Sequence, residues 1–194
     1  MRWLYQHGGK RLFDIGLAGA GLILFALPML WIAGWIWKEA GGSILFRQIR
    51  LGANGRRFLL WKFRTMTEEG AVTRCGRVLR ITAMDELPQL INILKGQMSF
   101  VGPRPLIPEE LAQVDQVLEG KRRFSIRPGL TGLAQLYSSK IPTLAERIAW
   151  DLKYIDRVSP GLDLWILFKS VGVTLKAAWE KPGPKVGTER PPRW

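Results

Sequence analysis

The sequence predicts a compact, mostly helical α/β unit associated with a membrane, and three observations support this fold class. An uncharged apolar segment lies near the N-terminus, a β-hairpin signal follows it, and several helix start signals occupy the remainder. With 194 residues the chain is long enough for one substantial core. We therefore expect a membrane region over residues 1–40, one folded unit over residues 41–180 and a mobile tail over residues 181–194.

The apolar segment covers residues 15–37, with Pro28 near its centre. About 23 helical residues are enough to cross a hydrocarbon core of about 30 Å. Basic residues flank both ends, which favours placing both flanks on the cytoplasmic side. A re-entrant helix broken at Pro28, entering and leaving through one leaflet, satisfies that preference, whereas an ordinary kinked transmembrane helix is the alternative. The segment has no cleavage site of the signal-peptide type, so we expect it to remain in the mature protein.

A short β-hairpin is predicted after the apolar segment. Residues 44–49 and 58–65 are β-prone and flank Asn54 and Gly55, a dipeptide typical of tight turns. Because side chains alternate along a strand, Lys62 and Arg64 point to one face of the second strand. The two cations either line a site or are simply solvated at the edge of the sheet.

Helix signals follow the hairpin. Residues 87–95 form an apolar helical pattern that Gly96 is placed to end. A second helix is predicted from Pro108 to Gly120, with Leu118 on its apolar face.

Two further helices are predicted nearer the C-terminus. Thr143 and Glu146 have the spacing of a capping box that starts one of them. Residues 162–179 are apolar apart from Lys169 and Lys176, which share one helical strip. We expect an in-plane amphipathic helix with its lysines at the headgroups, and a buried core helix with extended lysines is the alternative.

Composition restricts the chemistry. There are 29 Lys and Arg residues against 16 Asp and Glu, and the net charge of +13 favours nucleic acid, anionic lipid or a phosphorylated substrate as partner. One cysteine and one histidine exclude an internal disulfide, a Cys/His metal cluster and a histidine-based triad. The glycine-containing stretches GAGLIL and GANGRR lack the full dinucleotide and P-loop patterns.

The remaining chemical signal is the adjacent acid pair Asp85 and Glu86, at the predicted start of a helix and close in sequence to several arginines. A carboxylate that attacks phosphorus needs a divalent cation and arginines to relieve charge repulsion. Acids that merely cap a helix are the structural alternative.

Three motifs carry a resemblance to a known family: KFRTM at residues 62–66, DELPQLINILKGQMSFVGPRP at 85–105 and RPGLTGLAQ at 127–135. With the preceding proline-containing apolar segment, they resemble the bacterial sugar transferases, the small monotopic phosphoglycosyl transferases that start glycoconjugate assembly. The resemblance covers about residues 10–176. The order and spacing of several motifs together make it specific.

The resemblance implies transfer of a sugar 1-phosphate from a UDP-sugar to polyprenol phosphate, with undecaprenyl phosphate as the expected lipid in this family, and release of UMP. It implies that Asp85 is the nucleophile, that Glu86 is its catalytic partner, and that both hold Mg²⁺. It also implies a covalent aspartyl phosphosugar intermediate. Residues carried over as binding the diphosphate or UMP moiety are Lys62, Arg64, Arg80, Arg104 and Arg127.

The resemblance further implies a re-entrant anchor in the bacterial inner membrane, an active site facing the cytoplasm and no nucleic-acid partner. It implies a minimal form without the additional membrane helices of larger members. Ala83 and Met84 depart from the family pattern, which usually has a Ser or Thr nearer the aspartate and a Leu directly before it. Two rivals stay open: a non-enzymatic basic membrane protein that binds anionic lipid or nucleic acid, and a hydrolase of nucleotide diphosphates.

Overall fold

The computed structural model describes residues 5–138 and 142–175. Within these ranges the regular elements are, in chain order, α1 (Lys10–Leu24), α2 (Ala26–Ala40), β1 (Leu45–Leu51), β2 (Arg57–Phe63), α3 (Arg74–Thr82), α4 (Gln89–Leu94), β3 (Ser99–Val101), α5 (Leu111–Asp115), β4 (Gly129–Thr131), α6 (Leu133–Tyr137), α7 (Leu144–Ile155) and α8 (Pro160–Leu175). Short helical turns add Tyr5–Gly9, Ala53–Gly55, Met84–Glu86, Pro108–Glu110 and Gly120–Ser125. The mostly helical α/β composition is as predicted.

The N-terminal apolar segment forms two helices bent by 60° against each other. The predicted break at Pro28 is wrong in position, because the helices meet at Phe25. Pro28 instead lies in the first turn of α2, where its missing N–H would have had no helical partner in any case. No single helix in the described parts of the chain has the length and apolar composition to cross a membrane, whereas α1 and α2 taken together do.

The predicted hairpin is confirmed. Strands β1 and β2 pair antiparallel from Leu45 opposite Phe63 to Leu51 opposite Arg57. Asn54 and Gly55 both have positive φ angles, of 55° and 69°, as a tight turn of this type requires. A second sheet, which the sequence did not indicate, consists of the parallel three-residue strands β3 and β4.

Two helices predicted after the hairpin are shorter in the structure. Helix α4 begins at Gln89 and ends at Leu94, with Gly96 in the left-handed conformation beyond it. The helix expected from Pro108 to Gly120 is wrong in length, since α5 ends at Asp115. Leu118 is 89% exposed rather than on a buried face. The chain turns away because Glu119 adopts a left-handed conformation just after Leu118.

The two C-terminal helices complete the core. The cap of α7 is confirmed, because the Thr143 hydroxyl accepts a hydrogen bond from the Glu146 N–H at 3.1 Å. Helix α8 buries Leu162 and Ile166 in the main core but exposes Phe168 on its other face. It is therefore a core helix along one face only, and its in-plane membrane position stays a prediction. Lys176 and the tail over residues 181–194 lie outside the described residues.

The bent helix pair is fixed to the rest of the molecule by polar side chains. From α1, Arg11 donates to the carbonyls of Ile93 and Leu94 at the end of α4, the latter at 2.6 Å. Buried Asp14 accepts hydrogen bonds from the Ser99 hydroxyl at 3.0 Å and from a backbone N–H of β3. The anchor predicted from hydropathy is thus packed on the elements that follow the acid pair.

The end of α2 is fixed in the same way. Glu39 accepts hydrogen bonds from the backbone N–H groups of Arg74 at 2.6 Å and Cys75 at 2.9 Å, the first two residues of α3. Ile32 and Ile36 of α2 pack with Leu79 of α3 in a separate apolar cluster. Helix α3 leads directly to the acid pair, so α2 helps to set its position.

Candidate active site

The acid pair lies in the tight turn Met84–Glu86 between α3 and α4. Ala83 ends α3 in the left-handed conformation, with φ 56° and ψ 16°, and the turn begins immediately after it. A residue with a β-carbon pays about 1–2 kcal/mol for that conformation. The strained residue is adjacent to the turn that carries Asp85, so packing around α3 and α4 must hold the turn in place.

Lys62, the residue before the last in β2, lies between the two acids. Its Nζ is 2.8 Å from Asp85 Oδ2 and 3.1 Å from Glu86 Oε1. The Asp85 side chain is 7% exposed, whereas those of Glu86 and Lys62 are 22% and 26% exposed. The structure therefore brings together one buried carboxylate, one more accessible carboxylate and a lysine that bridges them.

Burial dominates the electrostatics of Asp85. Desolvation raises the pKa of this carboxyl group above its ordinary value, and the negative charge of Glu86 raises it further. The ammonium group of Lys62 acts in the opposite direction and partly restores the anionic form. An anion that is poorly solvated and held by one lysine is a more reactive nucleophile than an aspartate in water.

Arg80 is brought to the site by close packing of α3 on the chain that leaves β2. A β-carbon on Gly76 would lie 2.1 Å from the Thr65 carbonyl oxygen, so only glycine permits this approach. The same contact lets Arg80 Nε donate to the Thr65 hydroxyl at 3.1 Å. Part of the KFRTM motif therefore orients an arginine of the next helix.

A cleft of about 910 Å³ contains the acid pair. Charged side chains that line it include Lys62, Arg64, Arg80, Asp85, Glu86 and Arg104. Arg64 is partly engaged already, because its Nε donates to the Met66 carbonyl at 2.8 Å. The backbone carbonyl of Arg104 accepts from buried Arg123 at 2.8 Å, which fixes the loop while the Arg104 side chain stays exposed. Six of the seven residues singled out from the sequence thus meet in one cleft.

Arg127 is the seventh, and it is not among the residues that line this cleft. It is exposed, and its Nε donates to the carbonyl of Gly96 at 2.8 Å. Gly96 lies just beyond the end of α4, so Arg127 holds the loop that follows that helix. Its role in substrate binding stays a prediction.

Sequence reasoning assigned no site role to several polar residues of the cleft, namely Arg47, Thr131, Gln135 and Ser170. Thr131 and Gln135 lie in the RPGLTGLAQ motif, and Ser170 is a polar residue within the apolar helix α8, a pattern visible in the sequence. Arg47 faces Trp61 across the hairpin, and its guanidinium carbon is 5.6 Å from the centre of the Trp61 ring.

The acid pair supplies carboxylate oxygen atoms that could hold a metal. Within residues 5–138 and 142–175, no three His, Cys, Asp or Glu side chains form a group that could hold a metal ion. Mg²⁺ typically uses one or two carboxylates and takes its remaining ligands from water and substrate phosphates. Asp85 and Glu86 fit that mode, in which the substrate completes the site, and do not fit a closed structural metal site.

Comparison with known proteins identifies the family. The family model described as bacterial sugar transferase matches residues 5–177. Exopolysaccharide production protein ExoY of Rhizobium meliloti (strain 1021) is 37% identical over 190 residues, which cover 84% of this chain and 83% of that protein. The chain therefore belongs to the bacterial sugar transferase family, a family of phosphoglycosyl transferases.

Two further relatives have more specific names. The UDP-glucose:undecaprenyl-phosphate glucose-1-phosphate transferase of Caulobacter vibrioides is 40% identical over 184 residues, covering 84% of this chain and 68% of that protein. The protein of the same name from Klebsiella pneumoniae is 38% identical over 181 residues, covering 84% of this chain. The match spans 39% of the length of the Klebsiella protein.

Proposed function

We propose that this chain transfers a sugar 1-phosphate from a UDP-sugar to polyprenol phosphate and releases UMP. Family membership supports the reaction class, and the names of two relatives make UDP-glucose and undecaprenyl phosphate the first substrates to test. The observation that carries the proposal is the buried Asp85 bridged by Lys62 to Glu86 in an arginine-lined cleft. A non-enzymatic lipid-binding protein would have no use for that arrangement.

The first step is attack by an Asp85 carboxylate oxygen on the phosphorus that carries the sugar. A bond forms between that oxygen and phosphorus, and the bond from phosphorus to the UMP oxygen breaks. UMP leaves with the electron pair. The arginines of the cleft, Arg80 and Arg104 among them, stabilise the charge on the phosphoryl oxygens as it shifts toward the leaving group.

The second step returns Asp85 to its free state. An oxygen of polyprenol phosphate attacks the same phosphorus, the bond from phosphorus to Asp85 breaks, and the carboxylate takes back its electron pair. Two displacements split one difficult transfer into two easier ones. Lys62 contacts both acids and therefore compensates their charge in each resting state.

Asp85 and Glu86 are the residues that would hold Mg²⁺, with phosphate oxygens of the substrate as further ligands. When bound, the ion supplies positive charge that reduces repulsion between the carboxylate and the diphosphate.

The exposed apolar surface supports a membrane position for the enzyme. At the bend between α1 and α2, Ile23, Leu24 and Leu27 are 82%, 72% and 77% exposed. On α8, Phe168 is 76% exposed. In the proposed arrangement the bent pair enters the cytoplasmic leaflet and returns, and α8 lies at the interface, so that the cleft meets the lipid phosphate at headgroup level.

The proposed reaction is tested by measuring UMP release from UDP-glucose with magnesium, in the presence and absence of undecaprenyl phosphate. Sustained UMP release that requires the lipid phosphate, with appearance of a glucose-phosphate-linked lipid, supports transfer. Sustained release without the lipid phosphate would indicate hydrolysis. The Asp85→Asn variant should release no UMP above background under either condition.

A further inference from the structure

The cleft is also lined by polar residues that are distant from the acid pair in sequence. Among them is Gln135 of α6. Both heteroatoms of the Gln135 amide are buried, and neither has a hydrogen-bond partner among the described residues. Buried amides are nearly always paired, so an unpaired one beside a cleft is unusual. A ligand in the cleft would supply the missing partners once the amide turns toward it.

Three hydroxyl groups that line the same cleft, those of Thr131, Ser170 and Thr174, donate their protons to other groups of the protein. Ser170 donates to the Ile166 carbonyl at 2.8 Å, so in the 2.6 Å contact between Thr131 and Ser170 the donor is Thr131. Thr174 donates to the Ser170 carbonyl at 3.0 Å. The Thr131 and Ser170 hydroxyls therefore offer acceptor capacity toward a ligand, and the Gln135 amide can both donate and accept.

This pattern selects among the parts of the proposed substrates. The diphosphate belongs with the lysine and arginines of the cleft, because charged oxygens pair best with charged donors. A polyprenyl chain carries no hydrogen-bonding groups and would leave the amide unpaired. Sugar hydroxyls both donate and accept, and the apolar side chains of Leu130 and Leu167 in the same lining suit the carbon faces of a sugar ring.

We propose that Gln135 determines sugar specificity, by exchanging hydrogen bonds with hydroxyl groups of the sugar that the cleft holds next to Thr131 and Ser170. The inference rests on the proposed function and adds a residue that discriminates between UDP-sugars. Selectivity arises because a site with a buried amide rejects a ligand that leaves the amide unpaired.

The test is the Gln135→Met variant, which keeps the length of the side chain and removes its hydrogen-bonding groups. Rates are measured with UDP-glucose and UDP-galactose, which differ in one hydroxyl configuration, and UMP affinity is measured by competition. We expect kcat/KM for the preferred sugar to fall by about tenfold, and the ratio between the two sugars to move toward one. The UMP affinity and the KM for polyprenol phosphate should stay unchanged. Gln113→Met, on exposed surface of α5, is the matched control and should change none of these values.

Two results would overturn the assignment. An equal loss with both sugars would make Gln135 a structural residue, and a parallel loss of UMP affinity would place it at the nucleotide. If Gln135→Met does not fold, Gln135→Asn serves instead, because it retains the amide at shorter reach and must also alter the sugar ratio. An unchanged ratio in that variant would equally reject the assignment.

Failure of this inference is separable from failure of the proposed reaction. Binding of UDP-glucose and of UDP is compared by calorimetry in Asp85→Asn protein, with and without Gln135→Met, so that no covalent phosphosugar can form on Asp85. We expect the variant to lose the affinity gained from the sugar and to keep its affinity for UDP. If the sugar increases affinity in Asp85→Asn protein but wild type transfers no phosphosugar, only the reaction is contradicted. A sugar contribution that Gln135→Met leaves unchanged would contradict only the role of Gln135.

Discussion

At the scale of single residues, Lys62 has the most direct electrostatic control over the proposed nucleophile. Its ammonium group contacts both Asp85 and Glu86 and lowers a pKa that burial would otherwise raise further. Loss of this one charge should therefore be visible in the pH dependence of the reaction as well as in its rate.

We expect Lys62→Met to raise the pKa of Asp85. The proposed nucleophile is the anion, so activity is lost as pH falls through this pKa, and a higher pKa moves the acid limb of the kcat/KM profile to higher pH. A shift of one pH unit corresponds to about 1.4 kcal/mol of lost charge interaction. The measurement is kcat/KM from pH 5 to 9 for wild type and variant.

Lys121→Met is the control for that experiment, because Lys121 is a surface lysine that pairs with Asp115 at 3.3 Å with its side chain 74% exposed. Its profile should coincide with that of wild type. An acid limb in Lys62→Met that stays in place, or moves to lower pH, would contradict the assignment of Asp85 as the titrating anion.

At the scale of elements, the acid pair is positioned by helices that belong to the predicted membrane anchor. Helix α2 caps α3 through Glu39, and α1 holds the end of α4 through Arg11. The turn that carries Asp85 lies between α3 and α4. A displacement of α1 or α2 should therefore also displace the turn that carries Asp85.

We expect Glu39→Ala to lower the free energy of unfolding by about 1 kcal/mol, the usual loss when a helix cap is removed. It should also lower kcat, because α3 carries Arg80 and leads into the acid pair. The measurements are denaturant unfolding in detergent and turnover under saturating substrate. Glu69→Ala, on an exposed loop residue, is the control. Equal behaviour of the two variants would exclude a positioning role for Glu39.

Several helices and strands could be predicted from the sequence because they depend on local signals. The Asn54 and Gly55 turn and the Thr143 cap are short-range patterns, and both were predicted. The bend was predicted at the wrong residue, because Pro28 is tolerated in a first helical turn, so the interruption falls before that turn. Hydropathy alone does not distinguish these positions.

Other elements depend on contacts between distant parts of the chain. Helix α3 is short and polar on average and was not predicted, although its buried residues Cys75 and Leu79 lie one helical turn apart. Strands β3 and β4 have three residues each and are stabilised by pairing across a long sequence separation. The charged residues of the cleft were predicted from the family resemblance. Gln135 was not, because only the structure shows that its amide is buried and has no hydrogen-bond partner among the described residues.

At the scale of the whole molecule, the positive charge and the exposed apolar surface both support the proposed position at the membrane. The net charge of +13 favours an anionic leaflet and two phosphorylated substrates. The exposed apolar side chains at the bend between α1 and α2 would each gain about 1.5–3 kcal/mol on leaving water completely. Together these terms favour an enzyme held at the surface of the cytoplasmic leaflet.

The re-entrant arrangement predicts that both ends of the bent pair lie on the same side of the membrane. We expect cysteines introduced by Gly8→Cys and Glu69→Cys to react with a membrane-impermeant thiol reagent in inside-out vesicles and not in right-side-out vesicles. Native Cys75 is buried, so the unmodified protein gives the background. Labelling of the two positions from opposite sides would indicate a spanning helix instead.

The central claim, that Asp85 forms a bond to the phosphorus of the sugar nucleotide, is tested most directly by mass spectrometry. The protein is incubated with UDP-glucose and magnesium without lipid phosphate, and the intact mass and its peptides are measured. We expect one added hexose phosphate on the peptide that contains Asp85, lost again when undecaprenyl phosphate is supplied, and no adduct in Asp85→Asn. An adduct on another residue, or an Asp85→Asn variant that turns over at the wild-type rate, would contradict the proposed mechanism.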